Sequence, residues 1–378
     1  ADALLGKFVA EAWGVMAEGG TAGGVTAEKG LSPVSAVYAG MCCTHYGYSL
    51  PLWNKHLAEN AALGKGGIDT SVPTSCINPN SDMAAYIFTN STRPMSEKTD
   101  ITIRVLSMKP LTTEIESIAP LLSGPSGDGL RAYENPLDMF DNPLIKEGKD
   151  KDGNPFEAPA AAAPSPAAEA PAPAPAAAEP AAAHNGTSFG LDGDPTYMAE
   201  FYAKDEVTIC VTDVGLGGMS VLSEIERRLQ DNPIFPKVTL LYYNSAVDPG
   251  YTQRPVADQI SIFDSALRGM APYSPDIILI ACNTLSVIYA ETDYAKTCPI
   301  PVMSIVDFGV ALFAEKMLAD PTSVALIFGT DTTANVAAHR QALEKRGVAG
   351  ERVIMKGCPK LATNIQGKGA DSPEADAL

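Results

Sequence analysis

Apolar residues in this chain arrive in short runs, and the stretches between them carry helical spacing. Val207–Val211, Val238–Tyr243, Ile277–Ala281, Val302–Val306 and Ser323–Phe328 are of strand length, apolar on both faces and bounded by turn residues, which predicts buried strands. Leu222, Ile225 and Leu229 recur at helical intervals behind a glycine-rich loop, and Ala311, Leu312, Ala314 and Leu318 predict a second helix. Early in the chain, Leu4, Phe8, Ala12 and Met16 line one helical face, and Val34–Ala39 predicts a strand that delivers Met41-Cys42-Cys43. Buried strands alternating with helices are the mark of βαβ units around a mainly parallel sheet, so the expected class is α/β and doubly wound.

Length and composition refine that picture. At 378 residues the chain is too long for one ordinary core and suits two domains with an extra segment. From about 147 to 197 the composition shifts, becoming almost pure Ala and Pro between Glu157 and Ala183. Such a stretch buries too little apolar surface to offset its ordering entropy, and it reads as a disordered or semi-rigid linker. A partner-binding arm is the alternative, but aromatic and basic anchors are missing. A formal charge of −18 disfavours nucleic acid and anionic membranes as partners. No apolar run reaches the roughly 18 residues that span a bilayer, and the first residues lack the layout of a secretory signal, so a cytoplasmic location is expected. Seven cysteines without a Cys-x-x-Cys pair, beside only four histidines, fit neither a disulfide scaffold nor a zinc module. No metal is expected.

The two ends share a motif. Ala375-Asp376-Ala377-Leu378 repeats Ala1-Asp2-Ala3-Leu4, and Met198-Ala-Glu-Phe followed by a buried strand looks like the natural start of an α/β protein. Both features suggest a circularly permuted order.

Three segments combine reactive residues with a strand-to-helix turn, the edge at which open α/β sheets bind ligands. Asp213-Val214-Gly215-Leu216-Gly217-Gly218 is a glycine loop whose backbone amides could meet a carboxylate. A tight turn is the plainer reading, and a dinucleotide fingerprint is disfavoured because the third glycine is absent at Ser220. Ala281-Cys282-Asn283-Thr284 places a thiol at a helix start, expected to lower its pKa, with two hydrogen-bonding side chains beside it. Structural filler is the alternative for a single cysteine. Cys42-Cys43-Thr44-His45-Tyr46 repeats the arrangement with an imidazole able to exchange protons near neutral pH, a satisfied structural histidine being the alternative for His45.

Taken together, these segments resemble the aspartate/glutamate racemase family, whose members carry an Asp-Ser-Gly-x-Gly-Gly loop, an Ala-Cys-Asn-Thr turn and a Gly-Cys-Thr-His-Tyr turn. Thr330 and Thr333 resemble the family's Thr-x-x-Thr, and Cys358-Pro359 its Cys-Pro segment. The resemblance implies two doubly wound, mainly parallel-sheet domains of similar type with the active site in the cleft between them. One would comprise 198–319 with about 61–146, the other 320–378 with 1–60. It implies a cofactor-independent two-base reaction on a small acidic amino acid, glutamate foremost, of the kind that supplies D-glutamate to bacterial peptidoglycan. Inverting a stereocentre through a planar intermediate requires an acid and a base on opposite faces. By resemblance Cys43 and Cys282 fill those roles, with His45 assisting the first and Asp213 the second. Val214, Gly215, Asn283, Thr284, Thr44, Thr330, Thr333, Gly250 and Tyr251 would hold the substrate. A homodimer is compatible with the sequence.

Some positions depart from the family pattern. Val214 stands for the loop serine, Gln366 for a glutamate, and Val336 and His339 for a serine and a tyrosine. The Pro-Tyr-Gly turn is scrambled to Pro249-Gly250-Tyr251. Each lost polar partner in a buried pocket costs about 1–3 kcal/mol, enough to redirect substrate preference toward aspartate or another carbon acid, or to leave a silent ligand- or partner-binding relative.

Overall fold

A computed structural model describes residues 2–22, 25–27, 30–31, 33–89, 91, 93–107, 133–134, 195–247, 249–298 and 300–368. The linker expected over 147–197 lies outside the described residues except for its last three, which open a helix at Pro195.

Two parallel sheets organise the molecule. The first has the order β10-β9-β7-β8-β5-β6, built from β5 (Asp100–Ser107), β6 (Tyr133–Glu134), β7 (Glu206–Asp213), β8 (Lys237–Asn244), β9 (Ile277–Ile280) and β10 (Val302–Ser304). The second runs β12-β11-β3-β4, from β3 (Val37–Cys42), β4 (Thr74–Ile77), β11 (Val324–Gly329) and β12 (Val353–Gly357). Every pairing within these sheets is parallel. A short antiparallel hairpin, β1 (Gly20–Ala22) with β2 (Val25–Ala27), stands apart. Strands from early in the chain therefore complete a sheet begun by strands from its end.

Helices cover both faces, which is why the strands are apolar almost throughout. On β7, Val207, Ile209 and Val211 point into a core shared with α4 (Pro195–Ala203) and α5 (Met219–Asp231), which buries Leu222, Ile225 and Leu229. Cys210 and Tyr243 face the opposite core under α6 (Val256–Met270) and α7 (Asn283–Tyr289). In the second sheet, Val37, Ala39, Met41, Leu326 and Phe328 pack on α1 (Asp2–Glu18) and α2 (Leu50–Ala62). Two helices tie the sheets together. Helix α3 (Asn80–Thr89) follows β4 yet buries Met83, Ala84 and Ile87 in the first sheet's core, while α9 (Ile305–Ala319) follows β10 and buries Val310, Phe313 and Met317 under the second.

The expected strands all form, with shifted ends. Strand β3 begins at Val37 rather than Val34, and β10 stops at Ser304 because Ile305 already opens α9. The helix expected around Ala311, Leu312, Ala314 and Leu318 forms as α9, in which Ala314 is buried, Ala311 and Leu312 are half-buried and Leu318 is 50% exposed. That helix is apolar on nearly every side, so spacing alone does not define its buried face. Among the described residues no helix is long and apolar enough to cross a membrane.

Candidate active site

Four C-terminal strand ends converge where the sheets meet. Strand β7 ends on Asp213, β9 leads into Cys282, β3 into Cys43, and β11 into Thr330. Cys282 keeps extended backbone at the mouth of α7, and the Val214 and Leu285 N–H groups face its sulfur. Cys43 is likewise extended, ahead of a 3-10 turn over Thr44–Ser49, and its sulfur lies 3.7 Å from His45 Nδ1. Both thiols, with Asp213, Thr44, His45, Asn283 and Thr284, are buried.

Asp213 joins the two halves. Its Oδ1 accepts the Val214 N–H at 2.6 Å, and its Oδ2 accepts the Thr44 hydroxyl from the other sheet at 2.7 Å. Its charge discourages ionisation of both Cys43 and Cys282, and charge on Cys43 does the same to Cys282, so the three groups share one electrostatic neighbourhood. A second crossing pairs Thr284 with Thr330 at 2.9 Å, and Thr330 also meets the Thr333 hydroxyl at 3.1 Å while capping α10 (Asp331–Val336). Contact is close enough to demand glycine at one place. A Cβ on Gly217 would sit 2.2 Å from Thr44 Oγ1 and 2.8 Å from His45 Nδ1.

The thiols do not carry the low pKa expected of a helix start. Burial pushes Cys43 up to about 12 and Cys282 well above its ordinary value, and the backbone N–H groups at each sulfur oppose this only in part. Desolvation of the charged form outweighs a helix of seven residues. The resting site therefore holds two neutral thiols.

The remaining expected residues surround Cys282 or the glycine loop. Val214 is half-buried and packs on the apolar core that includes Cys282 and Tyr251. Gly250 starts a 3-10 turn over Tyr251–Gln253, and Tyr251 is buried near enough to Cys282 to feel its charge. Neither the Tyr251 hydroxyl nor either amide atom of Asn283 has a partner among the described residues. Thr333 is buried and Gly215 offers its carbonyl to Tyr242. Nothing is described of the Gln366 side chain.

Against this geometry, residues 214–378 match the sequence profile of the Asp/Glu/Hydantoin racemase family. Cys282, Asn283, Thr284, Thr330 and Thr333 fall within the matched segment; Asp213 directly precedes it, and Cys43, Thr44 and His45 lie elsewhere in the chain. The glutamate racemase of Helicobacter acinonychis is 28% identical over 140 residues, covering 37% of this chain and 51% of that protein. The Helicobacter pylori glutamate racemase is 30% identical over 141 residues, with the same coverage of 37% and 51%. The chain thus spans about half the length of the curated relatives it matches. Among solved structures, glutamate racemase from Aquifex pyrophilus is 27% identical with a TM-score of 0.35, covering 42% of this chain and 57% of that one.

Sequence reasoning missed Tyr48, Ser220, Tyr242 and Asn80. Tyr48 and Tyr242 hydrogen-bond carbonyls of the glycine loop, and Asn80 Nδ2 donates to Ser220 Oγ at 2.9 Å. Nothing in the spacing marks Tyr48, Tyr242 or Asn80, since each acts across the fold rather than along its own segment, while Ser220 also bonds back to Gly217 within the loop.

Proposed function

We propose that the junction of the two sheets is a cofactor-independent racemase site for an acidic amino acid, glutamate foremost, with Cys43 and Cys282 as opposed acid and base. The observation that carries this reading is Asp213, which ends β7 in the glycine loop, accepts a hydrogen bond from the Cys43 turn through Thr44 and is electrostatically coupled to both sulfurs. The pairing of β3 and β4 with β11 and β12 supports a permuted chain order, because residues from both ends build the sheet that presents Cys43.

The chemistry starts from neutral thiols, so the abstracting thiol must first lose its proton to a neighbour, and we assign Asp213, whose charge reaches Cys282, as the acceptor of that proton. The Cys282 thiolate takes the α-proton, its S–H bond forming as the Cα–H bond breaks. Cys43 then delivers its own proton to the opposite face, and its new thiolate rests beside His45. Charges and protons balance, and the reverse reaction uses the same groups in exchanged roles. The unpartnered Asn283 amide and Tyr251 hydroxyl supply polar contacts that a bound amino acid would satisfy. The half-buried Val214 favours a second reading, in which the substrate is aspartate or another carbon acid, or the protein only binds such a ligand.

The test is loss of the α-proton signal of L-glutamate, then L-aspartate, in deuterated water by NMR. The reading expects exchange in the parent protein and no racemisation in Cys43→Ser or Cys282→Ser variants that remain folded. A folded parent that leaves both amino acids protiated would sink it, and retention of racemisation with either thiol removed would sink the two-base assignment.

A further inference from the structure

The glycine loop is held by side chains from three directions, although its own sequence is flexible. Tyr242 on β8 is fully buried, and its hydroxyl donates to the Gly215 carbonyl at 2.6 Å. The Gly218 N–H is directed at the same phenol oxygen, so one hydroxyl spans the loop as an internal turn hydrogen bond would. From the other sheet, the Tyr48 hydroxyl donates to the carbonyls of Gly217 at 3.3 Å and Leu216 at 3.4 Å, and Ser220 Oγ donates to Gly217 at 2.9 Å. Three successive carbonyls are therefore tied by hydroxyl groups.

Peptide planarity turns this into a statement about the amides. In a trans peptide the carbonyl of one residue and the N–H of the next point in opposite directions. Fixing the Gly215 carbonyl toward Tyr242 aims the Leu216 N–H away from β8, whereas fixing the Leu216 carbonyl toward Tyr48 aims the Gly217 N–H away from the other sheet. Neither of these two N–H groups donates to a protein acceptor among the described residues. The Leu216 N–H, unspent and held in a fixed direction by the Tyr242 tie, is a donor available to a carboxylate oxygen.

We propose that Tyr242 is the positioning residue of the substrate-binding loop, its hydroxyl locking residues 215–218 so that the Leu216 amide stands ready for the substrate carboxylate. This rests on the racemase reading for its consequence but not for its geometry. Tyr48 is the secondary tie, with longer bonds that depend on the two sheets being closed together.

Tyr242→Phe removes one oxygen and leaves the packed ring. In the parent protein, hydrogen exchange should show the Gly218 amide protected although it lies outside any helix or strand ladder. In Tyr242→Phe that protection should fall about tenfold or more while β7 and β8 amides keep theirs. With the amino acid that exchanges its α-proton, KM should rise about tenfold and kcat should stay within about threefold, because the thiols are untouched. A Gly218 amide that exchanges freely in the parent overturns the proposal without any variant. Unchanged protection in Tyr242→Phe, or a loss of kcat at constant KM, overturns it as well. If no amino acid exchanges its α-proton, the racemase reading fails while the amide measurement still decides whether Tyr242 holds the loop.

Discussion

Gly217→Ala probes the close approach on which the site depends. The added methyl carbon would lie 2.2 Å from Thr44 Oγ1, 2.7 Å from Thr44 Cβ and 2.8 Å from His45 Nδ1. Thr44 would have to retreat by about 1 Å to restore ordinary contact, and its hydroxyl now sits 2.7 Å from Asp213 Oδ2. That hydrogen bond to a charged acceptor is worth roughly 1.5–3 kcal/mol, and forcing a methyl group into a packed junction costs about 1–3 kcal/mol more. A loss of about 2.5–6 kcal/mol follows if the sheets stay together, or a smaller loss with an open junction if they separate. Denaturant titration measures the first outcome, and the second appears as increased alkylation of Cys43 and Cys282. Gly250→Ala is the control: its nearest atom would be Gln253 Nε2 at 4.0 Å, its φ is −60°, and its stability should change by less than about 0.5 kcal/mol. If Gly217→Ala matched the parent in both stability and thiol reactivity, the glycine loop would not pack against the Thr44 turn as described.

Other perturbations test the electrostatics. Asp213→Asn keeps the shape but removes the charge that discourages ionisation of both thiols, so iodoacetamide should modify Cys43 and Cys282 at lower pH than in the parent, while α-proton exchange falls about 100-fold. An unchanged alkylation profile would contradict the shared neighbourhood. His339 is buried on α11 (Ala338–Lys345), and burial lowers its pKa from 6.5 to about 4. Between those values the unfolded chain binds a proton that the native protein does not, so stability falls as pH falls through this window, by up to about 3 kcal/mol. His339→Leu should flatten that component. Unfolding free energies at about pH 7.5 and pH 4.5 check it, and a parent-to-variant difference independent of pH would refute it.

Much of the architecture was legible because buried parallel strands leave continuous apolar runs, as in Ile277–Ile280 and Val324–Gly329. Strand β4 was not, since Thr74, Ser75 and Cys76 give it little apolar character. Strand β5 alternates Ile101, Ile103 and Val105 with polar residues and could have been read from that period. Strand-end motifs brought Asp213, Cys282, Cys43 and Thr330 to notice, because reactive side chains at such turns form a readable local pattern. The tie between Thr44 and Asp213 spans residues far apart in the chain, and no local spacing reveals it. The thiol pKa values were misjudged for a related reason: a helix start is visible in sequence, whereas the depth of burial that overrides it is set by the other sheet.

The most direct measurement follows where solvent deuterium goes during the first turnovers of L-glutamate in deuterated water. Two thiols on opposite faces predict that newly formed D-glutamate carries deuterium at Cα while unreacted L-glutamate stays protiated, because the group that removes the proton is not the group that returns one. Equal early labelling of both enantiomers would contradict the opposed pair.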